Sequence, residues 1–256
     1  LDKKISQIDF LIRKQEEHIA KIKEYKSALI RNVVTKGLKD GTDLKNSGSS
    51  EIGLIPKDWD IQATKGLFTI VAGGTPESGD NANYDGDISW VTPADFKTDD
   101  IFVDCGRRNL SKKGYESCSA TLVPANSIIF SKRAPIGSVV LNSVPLCTNQ
   151  GCLSCVNDKK ELNAKYYYYV MSILANVYEL LGSGTTFKEI SSKNFGLVKL
   201  PVPSLKEQNL ITDYLDKKCK IISELIASKT SKIDKLNSYK KSLIYEYVTG
   251  IKEVAA

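Results

Sequence analysis

The residues with chemistry to offer sit in short polar loops. Gly73-Gly74-Thr75-Pro76 leads into Ser78, Asp80, Asn81, Asn83 and Tyr84. Lys97 follows, then Arg107-Arg108-Asn109 with Lys112-Lys113, Ser131-Lys132-Arg133, and Gly182-Ser183-Gly184-Thr185-Thr186-Phe187-Lys188. Amide, hydroxyl and cationic groups are the inventory that proteins use on phosphates and base edges. Each loop alone also reads as a turn whose polar residues cap the backbone. Several basic loops in one region point, as a set, to nucleic acid. The candidate DNA-binding residues are Thr75, Asn81, Asn83, Tyr84, Lys97, Arg107, Arg108, Lys112, Lys132, Arg133, Thr185, Thr186 and Lys188.

Catalytic constellations are missing from the sequence. Gly182-Ser183-Gly184-Thr185-Thr186 lacks the Gly-Lys-Ser/Thr ending of a P-loop, and no GxGxxG is present. No Asn-Pro-Pro-aromatic or Asp-Pro-Pro-aromatic run suggests an amino-methyltransferase. His18 is the one histidine. It falls on the flank of a helical seam and reads as solvated, which removes most general-base and triad schemes. Pro93-Ala94-Asp95-Phe96-Lys97 has a superficial likeness to a nuclease metal site, without a Glu-x-Lys partner. Asp80, Asp85, Asp87, Asp95, Asp99 and Asp100 are accounted for by turns and solvation. Six cysteines (Cys105, Cys118, Cys147, Cys152, Cys155 and Cys219) read as reduced thiols. The Cys152–Cys155 pair has CxxC spacing, but a lone pair in strand-like surroundings fits buried small side chains better than zinc. No catalytic or metal-binding residue is therefore assigned.

The elements that must carry these loops begin with a repeat. Residues 1–35 and 215–249 align without a gap at an offset of 214, with 15 identities. Leu1-Asp2-Lys3-Lys4 returns as Leu215-Asp216-Lys217-Lys218, and Val34-Thr35 as Val248-Thr249. Both copies carry apolar residues at alternating four- and three-residue steps, the a and d positions of a coiled coil. The first seam is Ile5, Ile8, Ile12, Ile19, Ile22, Leu29 and Val33. The second is Cys219, Ile222, Ile226, Ile233, Leu236, Leu243 and Tyr247. Gln15 and Lys26 interrupt the first as Lys229 and Lys240 interrupt the second. Such polar seam residues fix register at a cost in stability. A helix of roughly 35 residues, about 50 Å long, cannot bury its stripe alone. One copy enters the middle region and the other leaves it, so the two are expected to pair antiparallel.

The organisation read from the chain is a helix over 1–36, a linker over 37–53, a middle domain over 54–206, a second helix over 207–250 and a tail over 251–256. The middle domain has short β-rich runs such as Phe68–Val71, Ile88–Val91, Ser127–Phe130 and Gly137–Leu141, separated by Gly, Pro and Asn. Residues 164–181 have helical spacing, and Leu197–Pro203 reads as a final edge strand. The fold class is α+β: an α/β domain with a curved mixed sheet, flanked by two long helices in an antiparallel coiled coil. The net charge of +6 is compatible with nucleic acid binding without demanding it. No apolar run of about eighteen residues suggests a membrane span, and Leu1-Asp2-Lys3-Lys4 does not resemble a signal peptide, so a cytoplasmic location is the default.

In order along the chain stand Ile55-Pro56-Lys57-Asp58-Trp59, Gly73-Gly74-Thr75-Pro76, Asp87-Ile88-Ser89-Trp90-Val91-Thr92-Pro93 and Arg133-Ala134-Pro135-Ile136-Gly137. Asn149-Gln150-Gly151-Cys152, Ser183 through Ile190, and Leu200-Pro201-Val202-Pro203-Ser204-Leu205-Lys206-Glu207-Gln208 follow. This order, closed by a Lys-rich helix, resembles the specificity subunits of Type I restriction-modification enzymes over essentially the whole chain. The resemblance implies a target-recognition domain that reads one half of a split double-stranded DNA target in the major groove. It implies that the helices set the separation of the halves and bind the methyltransferase (modification) subunits, alongside a restriction subunit. S-adenosylmethionine, ATP and Mg would then belong to those partners, with no cofactor in this chain and no catalysis of its own. Gln208–Tyr214 precede Leu215, whereas Leu1 has no such lead-in. The chain is accordingly read as the C-terminal half of a subunit, so that a complete bipartite target would require self-pairing of half-subunits. A second reading is a helical interaction scaffold with little DNA affinity of its own. A third, of another class, is an autonomous nuclease or methyltransferase.

Overall fold

A computed structural model of the chain describes residues 1–97, 100–158, 161–184 and 188–251. Helix α1 spans Asp2–Lys36. Strands β1 (Leu44–Asn46), β2 (Leu54–Pro56) and β3 (Asp60–Ala63) follow, then the single turn α2 (Thr64–Leu67) and β4 (Thr69–Ala72). After β5 (Tyr84–Ile88) and β6 (Trp90–Val91) come α3 (Lys112–Glu116), β7 (Ile128–Ser131), β8 (Val139–Leu141), β9 (Cys147–Thr148) and β10 (Cys152–Val156). The chain then forms α4 (Ala164–Ser172), α5 (Ala175–Leu181), α6 (Ser192–Leu197), β11 (Lys199–Val202) and α7 (Leu205–Val248). It divides into two compact units, one of residues 1–30 and 213–256, the other of residues 31–212.

In the first unit α1 and α7 lie antiparallel. Lys26 donates to Ser223, Lys229 donates to Gln15 at 3.2 Å, and Lys240 donates to both oxygens of Asp9 at 2.6 and 2.8 Å. Along the seam, Ile5, Ile8, Ile12, Gln15, Ile19, Ile22, Lys26 and Leu29 on one helix, and Cys219, Ile222, Ile226, Lys229, Ile233, Leu236, Lys240, Leu243 and Tyr247 on the other, are all buried or half-buried, as are Ile30 and Leu215. His18, beside the seam, is exposed. The contacts repeat as the sequence does. Asp9 aligns with Ser223 and Lys240 with Lys26, so the Asp9–Lys240 pair has its counterpart in Ser223–Lys26. Gln15 and Lys229 align with each other and touch. The helix pair therefore has a local two-fold axis through that contact.

In the second unit α1 ends at Thr35–Lys36, and Gly37 closes it in the left-handed region (φ 76°), its N–H donating to the Val33 carbonyl. Val33 and Val34 are buried here. The sheet order is β4-β10-β7-β8, antiparallel throughout. Parallel pairing joins β6 to β9, apart from that sheet, and Phe102 bridges Leu141 in parallel at the sheet's edge strand β8. Among the described residues β11 pairs with β3 alone, so Pro201 has no ladder partner there to deprive on its other side. Within the linker of the sequence reading, Leu44–Asn46 pairs with β2 as a short strand.

Both faces of β10 are buried, which explains why it reads as a nearly continuous apolar run. On one face Cys152 and Val156 pack with Val91, Val123, Ile129, Val140 and Leu146. On the face of alternate residues, the rings of Phe130, Tyr178 and Phe195 pack within 4.4–5.6 Å of one another. Each such buried side chain contributes about 1.5–3 kcal/mol. Residues 164–181, one helix by spacing, are two. At Leu174 the N–H bonds Met171 instead of Val170, and its backbone leaves the helical region (φ −98°, ψ 11°). Leu174 stays buried while α5 restarts with Tyr178 against Phe130. Trp59, wholly buried, donates its indole N–H to Glu207 at 3.0 Å and ties the β2–β3 corner to the first turn of α7.

Cys152 and Cys155 stand three apart on a strand and so project from opposite faces, which keeps the CxxC pair from ligating one metal ion. Burial pushes both thiols well above the usual range, and Cys147 up to about 11. Among the described residues no three His, Cys, Asp or Glu side chains gather as metal ligands, and no helix is long and apolar enough to cross a membrane.

Candidate nucleic-acid interface

Hydrogen bonds join the loops that carry the polar candidates into one connected network. Gly73 and Gly74 enter a slot too tight for any side chain. A Cβ on Gly73 would lie 2.1 Å from the Asn149 carbonyl, and one on Gly74 2.3 Å from the Ala120 nitrogen. The turn sets Thr75 against Gln150, to which its hydroxyl donates. Gly151 accepts from the Lys132 N–H at 2.9 Å, which joins this loop to the end of β7.

A second part of the network is built on Asp80. Its carboxylate caps the turn at 81–83 by accepting from Ala82 N–H, and accepts from Lys113 at 2.6 Å. Asn81 is exposed. Asn83 and Tyr84, candidates by residue type, are 3% and 7% exposed and do not present their polar groups to solvent. Asn83 donates to the Glu77 carbonyl, and Tyr84 donates to the Pro76 carbonyl. They hold the loop. Gly114 brings α3 against that loop, where a Cβ would be 1.9 Å from the Asn83 carbonyl. Ser111 caps α3 through Gly114 N–H and donates to Ala82.

The cationic candidates each meet an acid of the same chain. Arg108 binds Asp85 side-on, Nε to Oδ1 at 3.2 Å and Nη2 to Oδ2 at 2.9 Å, and its guanidinium lies 4.1 Å from the centre of the Tyr84 ring. Arg107 donates to the Ala94 carbonyl and lies 3.7 Å from Asp95. Asp95 itself is taken up by Thr92, in a capping box, and by the Arg107 N–H. That is a structural role for the Pro93–Lys97 segment. Lys132 and Arg133 share Glu189, at 3.6 and 2.9 Å, and Ile190 N–H bonds the Lys132 carbonyl. Lys188 pairs with Glu179 at 2.8 Å, Lys112 with Glu116 at 3.9 Å, and Lys97 with Asp100 at 3.5 Å. Thr185 and Thr186 lie outside the described residues.

Hydrogen bonds from Lys113, Arg108 and Arg133 hold the carboxyls of Asp80, Asp85 and Glu189, in that order, below the usual carboxylate range. The pairing leaves an uneven local charge. Arg108 with Asp85 is neutral, whereas two cations on Glu189 leave one positive charge. The acids in these pairs were not candidates, and neither were Lys113 and Gln150. Lys113 adjoins a candidate, and Gln150 and Glu189 stand within the short motifs named above. The pairings, 23 residues apart for Arg108–Asp85 and 56 for Arg133–Glu189, are not local in sequence.

Residues 56–235 match the family model described as the Type I restriction modification DNA specificity domain. The chain is 33% identical over 169 residues to the Type I restriction enzyme MjaIX specificity subunit of Methanocaldococcus jannaschii, covering 65% of this chain and 39% of that protein. It is 28% identical over 249 residues to the putative type I restriction enzyme MjaX specificity subunit of the same organism, 96% of this chain and 55% of that one. Among solved structures, the HsdS subunit from Thermoanaerobacter tengcongensis superposes with a TM-score of 0.60 at 17% identity, over 96% of this chain and 55% of that chain. A chain from a structural study of complex assembly and conformational transition of the type I R-M system superposes with a TM-score of 0.68 at 19% identity, over 95% of this chain and 57% of the other. The chain thus spans about half the length, or less, of the relatives it matches.

Proposed function

Because the chain belongs to the family of Type I restriction-modification DNA specificity domains, we propose that it reads one half of a bipartite double-stranded DNA target and does no chemistry of its own. The observation that carries the reading is the connected loop network, which presents fixed cations and amides from residues 75 to 189. In this reading Lys132 and Arg133, with their surplus positive charge, hold phosphates, as do the exposed Lys97, Arg107, Lys112 and Lys188. Thr75, Gln150 and Asn81 face base edges, and Asn83 and Tyr84 act through the loop they hold. Thr185 and Thr186 remain candidates by their place in the motif.

The two helices dock the methyltransferase subunits in this reading. Their repeat supports it. Leu11 and Leu225 are equivalent and 47% and 46% exposed, and Tyr25 and Tyr239 are equivalent and 60% and 56% exposed. Apolar groups left open at matched positions suit a partner that recognises the same patch twice. S-adenosylmethionine, ATP and Mg would be bound by the partners. A complete target would be read by two recognition domains, through a second domain or through pairing of two copies.

The compensated cations favour one variant, in which the chain is chiefly a scaffold and gains DNA affinity only with its partner. Gel-shift of a randomised duplex pool, with the methyltransferase subunit present and absent, tests both. Sequence-selective binding by the chain alone supports direct reading. Binding only with the partner supports the scaffold, and selective binding in neither case overturns both. Methyl transfer or metal-dependent cleavage by the purified chain would overturn the non-catalytic assignment.

A further inference from the structure

Arg108 differs from the other cations of the network in how it is held. Its Nε and Nη2 both donate to the Asp85 carboxylate, and its Cζ lies over the Tyr84 ring, 4.1 Å from the ring centre. Tyr84 is itself fixed by its hydroxyl on the Pro76 carbonyl and by an edge contact with Trp90. Asp85 is fixed from the other side, its N–H on the Asn109 carbonyl and its backbone in the left-handed region (φ 61°). Two of the five guanidinium N–H groups are used. The remaining pair on Nη1 and the second N–H of Nη2 form a free fork, and Nη1 has no hydrogen-bond partner among the described residues. The side chain is 40% exposed.

Such a fork fits two acceptors side by side: the O6 and N7 atoms of guanine, or two phosphate oxygens. Charge decides between them. The Asp85 carboxylate neutralises the guanidinium and would repel a phosphate placed a few ångströms away. Guanine's acceptors are neutral and meet no such repulsion. The Asp85–Tyr84 frame also removes most of the rotamer freedom that an arginine would lose on binding. We propose that Arg108, braced by Asp85 and Tyr84, reads a guanine in the major groove and fixes one base of the target. The inference rests on the DNA-reading function proposed above and adds the residue and the base. Lys132 and Arg133, with one uncompensated charge between them, have the opposite character.

The test is selection of duplexes from a fully randomised pool by the 256-residue chain, repeated with Arg108→Lys and Asp85→Asn. Lysine keeps the charge and the partner but has no fork. Asparagine tolerates the left-handed backbone at position 85. The wild-type motif is expected to contain a fixed guanine. Arg108→Lys should keep every other position and lose preference at that one by roughly 5- to 150-fold. Asp85→Asn should weaken the same preference and steepen the salt dependence of binding by up to about one phosphate contact. If Arg108→Lys does not fold, by its melting curve, Asp85→Asn carries the test alone. An unchanged guanine in both variants, or loss of all positions together, overturns the inference while the DNA-reading function stands. A wild-type chain that enriches no motif removes that function and the inference with it.

Discussion

At the scale of single residues, the candidate interface is governed by close approaches and by paired charge. Gly114 shows which effect wins. Alanine is the better helix former by about 1 kcal/mol. Yet its Cβ would meet the Asn83 carbonyl at 1.9 Å, against backbone that the Asp80 cap and Ser111 hold in place. Gly114→Ala is therefore expected to destabilise by about 1–3 kcal/mol, measured by denaturant unfolding, and a stabilised variant would contradict the packing. The acids make a second prediction. The pairing cations lower the folded-state pKa of Asp80, Asp85 and Glu189. Their contribution is present above the unfolded carboxylate range of about 4 and is lost as pH falls through the lower folded values. Thermal midpoints should fall over that acid window. Glu189→Gln, which removes the partner of two cations, should fall less steeply, and parallel curves for the two proteins would refute the coupling. The effect is modest, because these pairs are largely exposed and screened.

At the scale of elements, the seam separates apolar from polar contributions. Leu243 is 1% exposed, and Leu243→Ala should cost about 2–5 kcal/mol. Lys240, bound to Asp9 but part-exposed, should cost under about 1 kcal/mol as Lys240→Ala, and less still in high salt. Denaturant midpoints of both variants at two salt concentrations check the order. The helices were legible because a heptad is a local pattern of residue type, and the interrupting Gln15, Lys26, Lys229 and Lys240 proved to be contact positions. The strands β4, β7 and β8 were legible for a similar reason, as short apolar runs between turn residues, and β10 by its strand-like surroundings. The break at Leu174 was not, because the apolar spacing continues through it and tertiary packing of Tyr178 decides the restart.

At the scale of the whole molecule, the α+β class could be read from the repeated helices and the short β-rich runs, and the family from the order of short motifs, with which the family model agrees over residues 56–235. The electrostatic character of the interface could not. A net charge of +6 is compatible with free cations, but the described ones in the loops are met by acids, those of Arg108, Lys113 and Arg133 from distant segments. Asn83 and Tyr84, candidates by type, are buried and donate to carbonyls of the same loop, a matter of burial that no spacing records. The division of labour in the recognition unit has one more consequence. The sheet β4-β10-β7-β8 and the clusters on its two faces use none of the candidate residues, Tyr84 alone of them joining a separate buried cluster with Trp90, Leu110, Ala120 and Cys147, while Gly73, Gly74 and Gly114 hold the loop backbones in place. Side chains at positions such as Thr75, Asn81, Arg108 and Lys112 can then drift through mutation without the core being solved again. Under the proposed DNA-reading function, a lineage could exchange one recognised word for another in single steps, each from a protein that still folds.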